Sequence, residues 1–165
     1  MKRLLIPLLL FILINYTWCP AQITGKGISY IAFRLDHSMR IPNHSVTVEI
    51  INRRKDVEVN VISIPKTDDI IWQQTAVDTT FNISKKKFET IANKVRTLRG
   101  VDLEKSIVTG LDGYRSSIEF GSYQNKITYT FWSPNLNTKE RGLSDFLNLC
   151  KDIIKVGKLR RNEVL

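Results

Sequence analysis

Cysteine and histidine are scarce in this chain, two of each among 165 residues. Cys19 lies in a leading segment that reads as a removable signal. The remaining chain then keeps only Cys150, and one cysteine forms no internal disulfide. The fold is expected to be held by its core. Long apolar runs are missing too. The stretch Leu4–Ile14 is about 11 residues, well short of the roughly 20 that a spanning helix needs. No Gly-x-Ser-x-Gly, His-Glu-x-x-His or phosphate-binding glycine loop occurs. Gly110-Leu111-Asp112-Gly113 has two glycines but no Lys-Ser/Thr behind them, and reads as a turn. No cofactor is expected from such a sequence. Catalysis would need a site assembled from scattered residues.

What the chain does have begins at its start. Met1-Lys2-Arg3 followed by Leu4–Ile14 is a charged n-region and an h-region, the pattern of a secretory signal peptide. Residues 1–21 are expected to be a cleavable signal, cut between Ala21 and Gln22, with Cys19 small enough for the −3 position. Acylation at Cys19 is the competing reading; bulky Trp18 just ahead of it argues against that. Residues 22–165 are expected to form one α+β domain, periplasmic or extracellular, with no transmembrane span. Cleavage removes Lys2 and Arg3 and no acid, so a chain of formal net charge +9 stays basic.

Periodicity outlines the domain. Ile31, Phe33 and Leu35 alternate with polar neighbours, then Asp36–His44 reads as a loop. Val46, Val48 and Ile50, a charged turn at Asn52–Asp56, and Val57, Val59 and Val61 make a β-hairpin. Residues 65–83 are irregular in pattern, with Ile70, Ile71 and Trp72 as an apolar knot. Phe88, Ile91, Ala92, Val95 and Leu98 define one face of a helix, with Ser84 as N-cap and Gly100 as stop. Tyr114–Phe120 and Ile127–Trp132 form a second hairpin ended by Ser133-Pro134. Leu143, Phe146, Leu147, Cys150, Ile153 and Ile154 make the last helix, ended by Gly157. The tail 158–165 is expected to be frayed and basic. The order is β-β-β-α-β-β-α: an antiparallel sheet of about five strands with two helices on one face.

Few residues invite a chemical role. His37 and His44, with Asp36, offer two imidazoles and a carboxylate in one loop, weak candidates for a metal site because their spacing matches no local ligand pattern. Cys150 falls on the apolar stripe of the last helix, where a thiol is inert. Asp68-Asp69 and Asp102 with Glu104 are neighbours in loops, unlike the facing carboxylates of a glycosidase. Trp132 stands in the outward row of its strand beside Thr128 and Thr130, and should be exposed or covered by the Pro134–Thr138 loop. These three, with Trp72, are the candidate binding residues. Lys85, Lys86 and Lys87 could meet an anionic surface, although in a first helical turn they oppose the helix dipole. An exported chain is not expected to meet nucleic acid.

The stretch Leu111-Asp112-Gly113-Tyr114 through Phe131-Trp132-Ser133-Pro134, with the amphipathic helix behind it, resembles a pattern met in small uncharacterised exported proteins of Bacteroidota. The Ala21-Gln22 junction is similar to signal ends in that group. The resemblance covers about the last third of the chain and implies a bacterial envelope setting. It brings no activity and no functional residues. In that setting the sequons at Asn43 and Asn82 stay unmodified. The expected function is a non-enzymatic binding protein whose partner is a macromolecule, an envelope component or a toxin it neutralises. A hydrolase with a dispersed site near the Asp36–His44 loop and an accessory subunit of an envelope assembly are the alternatives.

Overall fold

A computed structural model describes residues 27–38, 42–66, 76–98, 101–110, 112–122 and 124–165. The proposed signal segment, Trp72 and Gly100 lie outside these residues. Six strands, β1 (Tyr30–His37), β2 (Ser45–Asn52), β3 (Val57–Ile64), β4 (Val77–Ile83), β5 (Tyr114–Gly121) and β6 (Lys126–Trp132), form one sheet in the order β4-β3-β2-β1-β5-β6. Every neighbouring pair is antiparallel. Helices α1 (Lys85–Thr97) and α3 (Ser144–Val156) pack on one face, and the short helices α2 (Leu103–Ser106) and α4 (Arg161–Val164) sit at turns. The fold is α+β, with one more strand than the periodicity suggests.

The extra strand is β4. Val77, Thr79, Phe81 and Ile83 alternate with Asp78, Thr80 and Asn82, but threonine on both rows blurs the contrast. As an edge strand, β4 is mostly exposed and needs little apolar content.

Ile31, Phe33 and Leu35 share the covered face with Val46, Val48 and Ile50, Val57, Val59 and Val61, and Ile118 and Phe120. Onto them α1 sets Phe88, Ile91, Ala92 and Val95, and α3 sets Phe146, Leu149, Cys150, Ile153 and Ile154. The α3 helix crosses the sheet. Phe146 meets Phe131 of β6 edge-on at 4.8 Å, and at its far end a Cβ on Gly157 would stand 3.0 Å from Val48 of β2. Lys94 and Asp152, 2.6 Å apart, tie α1 to α3. Ser84 caps α1, its hydroxyl accepting from the Lys87 amide at 3.3 Å.

The tail differs from the expected frayed end. Val164 is 1 % exposed, and the Asn43 side-chain amide donates to the Glu163 carbonyl at 2.9 Å. Leu159 and Val164 supply the apolar anchors that the basic residues around them obscure in the sequence.

Candidate functional site

The face of the sheet turned away from the helices is polar. At its centre Arg34 lies between Glu49, at 3.5 Å, and Glu119, at 3.3 Å. Lys126 reaches Glu119 at 2.8 Å and sits 4.0 Å above the Tyr30 ring, while the Tyr30 hydroxyl donates to Glu49 at 2.8 Å. Burial, then the Glu49 hydrogen bond, pushes the Tyr30 phenol up to about 12. The Lys126 hydrogen bond, helped by Arg34, holds the Glu119 carboxyl below its ordinary range. The centre of this face is therefore internally neutralised. Outside this network the face carries exposed side chains on both sides, among them Ile62 of β3, 41 % exposed, and the outward row of β6.

There Thr128 and Thr130 are exposed in the same row as half-buried Trp132, opposite Glu119, Ser117 and Arg115 of β5. Trp132 is covered differently from the sequence-based expectation. Its indole lies against Gly110 and Gly113, where a Cβ would collide with the ring. Gly113 also holds a φ of +153° beside Ser133, a second reason for glycine there.

Arg141 fixes the chain that follows β6. It is 4 % exposed, and its guanidinium donates to four carbonyls: Ser106 at 2.9 Å, Trp132 at 2.9 Å, Ser133 at 2.8 Å and Leu136 at 3.0 Å. Among the described residues no carboxylate pairs with it, and burial pulls its pKa below the ordinary guanidinium value. It is a positioning residue for Trp132, and no motif in the sequence announced it.

Two cavities, of about 340 and 430 Å³, open at this end of the sheet and share His37, Gly113, Tyr114 and Trp132. The first also takes in Asp36, His44 and Arg115. The His37 ring stacks on Tyr114 with centroids 5.6 Å apart. His44 Nδ1 is buried with no hydrogen-bond partner among the described residues. Asp36 accepts from the Ser45 hydroxyl at 3.0 Å. So the structure gathers Asp36, His37, His44 and Trp132 around one opening, with Thr130 and Thr128 leading away from it. Among the described residues no group of three or more His, Cys, Asp or Glu side chains is placed to hold a metal ion. Arg115 was within reach of sequence reasoning, since the hairpin register puts it opposite Trp132.

Cys150 is fully buried, and burial pushes its thiol well above the usual range. A further cavity, about 750 Å³, lies at the opposite end of the sheet, among Ile28, Phe120, Ile127, Arg96 and Lys126. No helix among the described residues is long and apolar enough to cross a membrane.

The arrangement is that of a two-layer α+β protein with one open sheet face and a recessed aromatic corner. No protein-family model and no curated protein sequence matches the chain.

Proposed function

We propose that the chain is an exported, non-enzymatic binding protein of the bacterial envelope that engages a macromolecular partner through the β6 side of its open sheet face. The observation that carries this reading is the row Thr128, Thr130 and Trp132, uncovered by either packing helix and ending at the paired cavities. A tryptophan fixed by glycines on one side and by Arg141 behind it loses little freedom on contact, which favours it as an interface anchor. The leading segment Met1–Ala21 supports export. Lys85, Lys86 and Lys87 are exposed and placed to add contact with an anionic surface.

Capture from envelope extract tests the reading, with Trp132→Ala and Thr130→Arg as variants. Thr130 is exposed, so its substitution leaves the fold intact and separates lost contact from lost structure. A partner held by the unaltered protein should be lost from both variants. Equal recovery by all three proteins would remove the β6 face from the proposal.

One observation favours a second reading, a hydrolase. Asp36, His37 and His44 line the same cavity, and the His44 nitrogen there is unpartnered among the described residues. Hydrolysis of a nitrophenyl ester that disappears in His44→Ala, with partner capture unchanged, would decide for it.

A further inference from the structure

Arg53, Arg54 and Lys55 form the turn between β2 and β3, and Lys85, Lys86 and Lys87 open α1 some thirty residues later. The sheet register brings the two runs together. Val57 starts β3 opposite Ile83, which ends β4, and Lys85 Nζ donates to the Arg54 carbonyl at 3.0 Å. All six side chains are exposed. Glu58 takes up Arg53 at 2.9 Å, and Asp56 lies in the same turn. Among the described residues the other five cations have no carboxylate within ion-pair distance. No acid occupies the first turn of α1, so the three lysines stand against the positive end of the helix dipole. Such placement opposes folding and concentrates positive potential at one pole of the molecule.

We propose that this pole is a docking surface for an anionic lipid bilayer. Two features favour a bilayer over a discrete anion or a polyanionic chain. The cations are mostly lysines on flexible stems, and none lines any of the three cavities; they suit a diffuse charged surface. The described chain also enters the fold at this pole, where the Ser29 amide donates to Gly121 and the Ser29 carbonyl accepts from Asn52. The apolar run Leu4–Ile14 precedes Gly27 by about a dozen residues. During export, before the cut between Ala21 and Gln22, a chain held at a membrane by that run presents the basic pole first. The Trp132 corner is at the opposite end of the strands, so docking leaves it accessible.

Flotation of the exported chain, residues 22–165, with vesicles tests the docking. One set is phosphatidylcholine alone and the other contains phosphatidylglycerol. The expected result is preferential binding to the anionic vesicles, weakened by salt and reduced roughly ten- to a hundredfold in the triple variant K85Q/K86Q/K87Q. That variant should melt no lower than the unaltered chain, because it removes charges that oppose the dipole. Equal binding to both vesicle types, or an unchanged triple variant, overturns the proposal. So does binding to dextran sulfate without binding to vesicles. Thr130→Arg should leave vesicle binding unchanged, which keeps failure here distinct from failure of the sheet-face reading.

Discussion

At the scale of single residues, Arg141 shows how a buried cation can be accommodated without an anion. Four carbonyl dipoles from two separate stretches of chain, Ser106 and Trp132–Leu136, replace its water. Arg141→Met should therefore destabilise the protein by about 3 kcal/mol or more in urea unfolding, since it leaves several buried acceptors unpaired. Trp132 supplies an independent readout. Loss of the tether behind it should shift its fluorescence to the red in the folded variant. A small stability change with an unshifted spectrum would mean the segment after β6 holds its shape without the guanidinium. Nothing in the sequence distinguishes Arg141 from its charged neighbours Lys139 and Glu140. Only the geometry of the segment 133–143 buries it.

Elements were legible where apolar contrast was strong. The stripe Phe88, Ile91, Ala92 and Val95 and the stripe from Phe146 to Ile154 fixed both packing helices, because each buries one face against a sheet. The hairpins β2–β3 and β5–β6 were equally clear. Strand β4 was not, since an edge strand with threonine on both rows lacks the alternation that marks a half-buried one. Helix α4 was hidden for another reason. It is one turn long and is held by Asn43, whose side chain joins the Glu163 carbonyl at 2.9 Å to the Ser63 hydroxyl at 2.8 Å. Both Asn43 and Ser63 are buried, at 8 % and 2 % exposure. The same observation removes Asn43 as a glycosylation acceptor in a folded chain, while Asn82 is exposed. Asn43→Ala should cost about 1–3 kcal/mol of stability. Amide exchange should accelerate across Arg161–Val164 and stay unchanged in α1, identifying the loss as local release of the tail. Uniform acceleration would instead make Asn43 part of the global core.

At the scale of the whole molecule, one thiol reports on the two layers together. Cys150 lies between α3 and the sheet, fully buried, and only separation of the layers exposes it. Its burial raises the folded thiol's pKa, whereas the unfolded thiol ionises above about 8.5. Above that pH the unfolded chain holds fewer protons at this position than the folded one. Stability must then fall as pH rises, with a slope from this group that grows toward about 1.4 kcal/mol per pH unit as the unfolded thiol becomes fully ionised. Tyr30, raised to about 12, adds to the same trend only once the unfolded phenol ionises near 10, so the window between about pH 8.5 and 9.5 belongs to the thiol. Urea midpoints should decline through that window for the unaltered protein and stay nearly level for Cys150→Ala. Labelling by a thiol reagent should proceed at a rate set by global unfolding and slow as stabilising conditions are applied. Parallel declines in both proteins, or rapid labelling of the folded state, would place Cys150 in contact with water and contradict the closed contact between α3 and the sheet.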